Sequence, residues 1–399
     1  MTNNSNQPRK FDAVKGNNIA PIDGAVLGGL QGIKNRLQSS THNVQLTALN
    51  NALNFGDAGL DLIIEVLHNY PPKIKLSAYR LLKEQDNVKA KQAVAQVNPY
   101  AYLEHIHTFT GFSKINSLAI SPDNQNLVCG TSLNYHNSTT EIWNLQTGKQ
   151  PFSFIHRHCQ EINSVAITPD GQKMVCAADD FQQATINVCS MKDGSLLRNY
   201  QAPYTIYSLA IHPDGESFIS AGLNKTISVW KFQQAKVVNT INIDTSVSYA
   251  ICITPSGKTL ISGSSDGTIK LINLNSQKQT WSFGRHSHHI RSLAISPDGK
   301  TLVSGSDQRI KVWDIKTGQQ IFSFYGHADW VRAIVFSPDG KTLLTAGDQY
   351  IKVWDISTGK KVYAFQAHSA PIRALAISND GHTVASGSAD GEIHVWRLS

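Results

Sequence analysis

Between Arg285 and Ser399 the chain repeats one pattern three times: RHSHHIRSLAISPDGKTLVSGSDQRIKVWDIKTG, GHADWVRAIVFSPDGKTLLTAGDQYIKVWDISTG and AHSAPIRALAISNDGHTVASGSADGEIHVWRLS. Trp313, Trp354 and Trp396 mark the copies, 41 and then 42 residues apart. A fixed period constrains the fold more than composition does, because each copy must be the same small unit and must bury its apolar face against its neighbours. Within a copy, an apolar strand runs into Ser-Pro-Asp-Gly (Ser296 to Gly299, Ser337 to Gly340). There Pro pre-sets the first turn position, and Asp and Gly supply tight-turn chemistry. A second apolar strand (TLVSGS, TLLTAG) and a third (IKVWD) follow, and Thr-Gly turns the chain into a fourth (QQIFSF, KKVYAF).

Read back towards the N-terminus, the pattern gives seven units in the order fourth strand, first, second, third. They start near Tyr102, Pro151, Leu197, Lys236, Thr280, Ile321 and Val362. The last unit ends on its third strand at Trp396, and the surplus fourth strand lies at the other end, YLEHIHTF (102–109). Pairing the two closes a ring and removes both sheet edges. The recurring Trp-Asp dipeptide at this period resembles the WD-repeat family. That resemblance implies a mainly β fold, a seven-bladed propeller over residues 102–399, and a non-enzymatic scaffold that binds protein or peptide partners on its top face and channel mouth.

Ahead of the propeller the periodicity is different. Residues 1–23 are rich in Asn, Gln and Lys and read as a disordered lead. From 24 to 97 the apolar spacing is helical, giving a small all-α helical-repeat domain of the HEAT/armadillo kind. VLGGLQGIKNRL opens it; Thr41 caps a helix through Phe55 that buries Val44, Leu46, Leu49 and Leu53. Asp57 caps the next, Pro71 and Pro72 open a fourth, and Asp86 opens a fifth. This stretch is similar to a helical extension that precedes WD propellers in photosynthetic bacteria.

The chain carries a net charge of +7. A positive chain raises nucleic-acid binding as the alternative function. The charge is dispersed, however: residues 1–101 hold 11 Lys and Arg against 7 acids, the remainder 25 against 22, and no basic run occurs. Nucleic acid is therefore the less favoured partner. A polar N-terminus, no apolar run of membrane length and five sparse cysteines point to a cytoplasmic protein with reduced thiols; a monomer is expected.

His, Ser/Thr and Asp in one repeat have the composition of a hydrolase triad. Three copies at blade period argue for structure instead, since a nucleophile is not needed three times. In the WD-repeat family a loop His, a second-strand hydroxyl, a turn Asp and the third-strand Trp share hydrogen bonds. The matching residues are His286, Ser304, Asp307 and Trp313; His327, Thr345, Asp348 and Trp354; His368, Ser386, Asp390 and Trp396. The second unit matches with His158 but has Cys176 and Cys189 at the hydroxyl and Trp positions. The third keeps Ser220 and Trp230 with Ala202 and Asn224, the fourth Ser262 and Asp266 with Ile272, and the first has Cys129 and Trp143 and no His. Blades one to four then rely more on apolar packing. His286, His288 and His289, with His156 and His158, offer too few convergent ligands for a metal. No phosphate loop or dinucleotide fingerprint is present, so no cofactor and no catalytic residue are expected.

Aligning the first strands on Ile115, Ile162, Ile206, Ser248, Ile290, Val331 and Ile372, the next residues are Asn116, Asn163, Tyr207, Tyr249, Arg291, Arg332 and Arg373. First strands lie innermost in a blade, so these residues should ring the channel mouth, with the arginines on three adjacent blades and Trp330 beside them. Guanidinium forks match carboxylate or phosphate, and tyrosines add contact area at low entropic cost. The expected partner is a protein or peptide, acidic or phosphorylated, as the family resemblance also implies.

Overall fold

The computed structural model describes residues 29–110, 113–132, 137–157, 159–179, 184–234, 236–243, 246–276 and 278–398. The expected disordered lead, His158 and parts of the longer loops of the first two blades lie outside them. The chain divides into two compact units, between Val97 and Asn98.

The first unit is helical: α1 (Gly29–Leu37), α2 (His42–Ala52), α3 (Gly56–Asn69), α4 (Pro72–Lys83) and α5 (Val88–Ala95). One face of each helix joins a shared core of Ile33, Leu37, Leu49, Leu60, Ile63, Val66, Leu67, Ile74 and Leu82. Its boundaries differ from the sequence reading in local ways. Thr41 holds the N-cap of α2 without a side-chain bond, and the α-helix stops at Ala52 before a 3-10 turn over Leu53–Phe55. Asp57 falls inside the first turn of α3, where its charge suits the helix dipole. The cap of α5 is Asn87 rather than Asp86, its side-chain oxygen accepting from the Lys89 amide at 2.8 Å. Val44 stands exposed, because α2 turns Ala48, Leu49 and Ala52 inward.

In the second unit, the described residues form seven four-stranded antiparallel sheets. The innermost strands of blades one to seven are Lys114–Ile120, Glu161–Ile167, Ile206–Ile211, Ser248–Ile253, Ser292–Ile295, Ala333–Phe336 and Ile372–Ile377. Each touches the innermost strand of the next blade, and the last touches the first, so the blades close into a ring. Closure is made by the expected strand: Glu104–Phe109 pairs antiparallel with Ile393–Arg397 and becomes the fourth strand of blade seven.

The turn chemistry works through side chains. Ser296 Oγ donates to Asp298 at 2.6 Å and accepts the Thr301 amide at 2.9 Å, while Gly299 takes φ of 71°. In blade one Asn124 replaces that glycine at φ of 61°, a conformation that Asn tolerates. The Asp of the Trp-Asp pair closes the next hairpin: Asp314 accepts from the Thr317 amide at 2.7 Å and hydroxyl at 2.8 Å. Asn144 and Asn273 take the same place in blades one and four.

Candidate binding site at the channel mouth

In blades one, two, three, four and seven, the ladder between first and second strands slips by one residue. The unpaired residues are Asn116, Asn163, Tyr207, Tyr249 and Arg373. In blades five and six the regular strand begins one residue after Arg291 and Arg332, whose amides reach across to Gly305 and Ala346 at 2.9 Å. A bulge re-aims a side chain that a regular ladder would turn to one face. All seven residues line one cavity of about 150 Å³ at the ring axis.

The cavity is strongly polarised. Arg373 is half-buried, and its affinity for its proton is lowered by burial and by the charges of Arg332 and Arg291, with Glu161 opposing. Among the described residues, the acid within ion-pair distance of the three arginines is Asp329, 3.5 Å from Arg332 Nη2. Nε of Arg291 and Nε of Arg332 are buried with no hydrogen-bond partner in the protein. A buried charged donor left unpaired is costly. The Arg291 guanidinium lies 4.4 Å from the centre of the Tyr249 ring and 5.4 Å from Trp330. Tyr249 in turn touches Tyr207, ring centres 5.0 Å apart. Burial, then Tyr249, raises the pKa of Tyr207 and keeps its hydroxyl protonated. Trp330 does not line the cavity; it stacks on His289 at 5.7 Å and backs Arg291.

The sequence reading omitted the charges one layer out. Lys114 and Glu161 pair across blades one and two, and both occupy the position one residue before the aligned apolar residue, so the same alignment read one step back locates them. Asp329 precedes Arg332 by three residues and carried no comparable signal.

The blade networks differ from one another. In blade six His327 bonds Asp348 at 2.7 Å and Thr345 at 2.8 Å, and Trp354 donates to Thr345 at 2.8 Å. Burial lowers the pKa of His327 against the pull of Asp348 and leaves the ring neutral near pH 7. Burial alone would raise the Asp348 pKa, but the His327 bond and the Ala328 and Tyr350 amides hold it well below the usual range. Blade seven repeats the set: His368 to Asp390 at 3.2 Å and to Ser386 at 2.9 Å, with Trp396 on Ser386 at 3.0 Å. Blade five breaks it. His286 meets Ser304 at 2.7 Å and Trp313 donates to Ser304 at 2.8 Å, but Asp307 turns to His288 at 3.1 Å. In blade two, where His158 lies outside the described residues, a buried imidazole is His156. Its Nε2 meets Thr140 at 2.8 Å and Cys176 at 3.6 Å, and Asn187 meets its Nδ1 at 2.9 Å. In blade three Trp230 still donates to Ser220 at 2.8 Å, inside an aromatic cluster with Tyr200 and Phe218. In blade four Ser262 bonds Ser248 at 2.9 Å, and Asp266 serves its own turn through Thr268 at 2.6 Å.

Among the described residues, His368, Glu392 and His394 are the one group with three metal-type ligand atoms close together. Both His368 nitrogens already serve the blade network, so a metal there would have to break it.

A family model described as WD domain, G-beta repeat matches residues 103–144, 149–182, 194–231, 236–273, 277–314, 318–355 and 359–397. Each match takes in a fourth strand followed by the three inner strands of the next blade, except that 149–182 stops before the third strand of blade two, Ala184–Ser190. No curated protein matches the chain.

Proposed function

This chain belongs to the WD-repeat family, whose propellers commonly act as protein-interaction scaffolds, and from that premise we propose that it is a non-enzymatic scaffold whose channel mouth captures an acidic or phosphorylated segment of a partner protein. The observation that carries the reading is that Arg291, Arg332 and Arg373 line one small cavity, with Asp329 the acid within ion-pair distance of them among the described residues. Three guanidinium groups supply forked donors that match carboxylate or phosphate oxygens. Tyr207 and Tyr249 give the opposite wall an apolar body with a hydroxyl tip. A closed ring holds this set in fixed geometry, which lowers the ordering cost of binding.

The test compares wild type with Arg332→Glu, measuring melting temperature and the affinity for one peptide in phosphorylated, acidic and neutral forms. Binding should favour the phosphorylated and acidic forms and fall at least tenfold in the variant at an unchanged melting temperature. Equal affinity for the three forms, or none of the loss, sinks the reading. The nucleic-acid alternative has its own signature, an affinity for mixed-sequence DNA that falls steeply with salt and ignores Arg332.

A further inference from the structure

A second cationic site lies away from the channel mouth, on the flank of blade five. Its third strand, Arg309–Asp314, pairs with its fourth, Gln320–Tyr325, so that Arg309 faces Tyr325 and Lys311 faces Ser323. The period of two puts Arg309 and Lys311 on one face of the blade. Arg285, from the loop before the blade, comes to the same face: the Lys311 ammonium donates to the Arg285 carbonyl at 2.8 Å, and the Arg285 guanidinium is held by the Asp266 carbonyl at 2.9 Å. Together with His286, Ser287, Gln320 and Ser323, these three cations line a groove of about 650 Å³ that contains no carboxylate.

Comparison with blade six shows why the charge is unbalanced. There, Lys352 stands where Lys311 does, and Asp348 approaches it at 3.5 Å. In blade five the matching Asp307 is drawn off to His288, so it does not neutralise Lys311. Gly326 and Tyr350 stand in blade six where blade five has Arg285 and Arg309. Among the described residues no ion pair joins Arg285, Arg309 or Lys311 to an acid, and Lys311 holds its proton less firmly than usual through burial and the charge of Arg309. Three like charges collected in a half-enclosed groove repel one another, and a bound anion relieves that repulsion.

We propose that this groove, built by Arg285, Arg309 and Lys311, binds a phosphate monoester carried on an organic body. Guanidinium forks and an ammonium complement the three outer oxygens of a monoester. Ser287 and Ser323 add hydroxyl donors at the rim. The volume lies in the range that holds a small organic ligand rather than a bare ion. The site is independent of the channel mouth, which is lined by other residues of other strands.

The test uses full-length protein and calorimetric titration with O-phosphoserine, inorganic phosphate and serine at low salt. Phosphoserine should bind, phosphate several-fold more weakly, and serine not at all. In the Arg332→Glu background, which removes the channel-mouth site, phosphoserine should still bind, and Arg309→Gln and Lys311→Gln should each weaken it at least fivefold with unchanged melting temperatures. The Lys311 ammonium lies over the Trp313 ring, 5.6 Å from its centre; should that variant melt early, Arg309→Gln and Arg285→Gln decide the matter. Phosphate binding as tightly as phosphoserine overturns the organic body. Phosphoserine that fails to bind the Arg332→Glu protein, or whose binding there survives the blade-five substitutions, overturns the site.

Discussion

At the scale of single residues, the buried imidazoles have the plainest measurable consequence. Burial lowers His156 to about 3, with His286 and His368 lowered to about 4, the latter two also by Lys311 and by His394 respectively. In the unfolded chain each titrates near the ordinary value of about 6.5. Between about 6.5 and 4 the unfolded state therefore binds more protons than the folded one, and stability falls as pH falls through that window. Each histidine contributes up to about 1.4 kcal/mol per pH unit there. The melting temperature should accordingly be flat above pH 7 and drop from pH 6.5 towards 4. His368→Gln should have a lower plateau and a shallower drop. A variant with the slope of wild type would show that His368 does not titrate with folding.

At the scale of elements, neighbouring blades interlock through the inner end of the second strand. A Cβ on Gly387 would stand 2.4 Å from Ile115 Cγ2 of the adjoining blade, and one on Gly263 would stand 2.5 Å from Ile290 Cγ2. Both isoleucines are fully buried, so the clash cannot be relieved by swinging a side chain into solvent. Gly387→Ala should cost about 1–3 kcal/mol by overpacking, read as a lower midpoint in urea with an unchanged slope. An unchanged midpoint would mean that the blades separate without strain. The outer strands take part as well: Phe324 of blade five lies 4.5 Å from the Trp354 ring of blade six, and Phe365 of blade six 4.8 Å from Trp396 of blade seven.

At the scale of the whole molecule, one six-residue strand decides whether the ring has an edge. Glu104–Phe109 covers Ile393–Arg397 and brings Phe109, 5% exposed, against Trp143 of blade one with ring centres 4.3 Å apart. Removing residues 1–97 spares this strand, and removing 1–109 deletes it. The shorter truncation should melt near the full chain. The longer one should lose at least the roughly 3–5 kcal/mol that deletion of a buried Phe ring implies, and should aggregate through its open edge. Two truncations with one melting temperature would show that closure does not hold the ring. Among the described residues no helix is long and apolar enough to cross a membrane.

The sequence by itself determined what depends on local periodicity. The spacing of Trp313, Trp354 and Trp396 set the blade length, the alternation of apolar residues with Ser-Pro-Asp-Gly and Thr-Gly turns set four strands per blade, and a strand surplus at one end with a deficit at the other set the closure. It also placed seven residues at one rung of seven first strands, because a repeat makes equivalent positions countable. The tertiary structure decided what depends on partners from different blades. A one-residue slip in the ladder aims Tyr207, Tyr249 and Arg373 into the cavity, and no residue pattern distinguishes a slipped ladder from a regular one. Asp307 chose His288 over His286, leaving Lys311 without the acid that its counterpart Lys352 has. His156, from the strand Phe152–Arg157, filled the second network by reaching Thr140 and Cys176. The same motif letters give different charge balances, because hydrogen-bond partners are assigned by distance in three dimensions and the repeat fixes only distance along the chain.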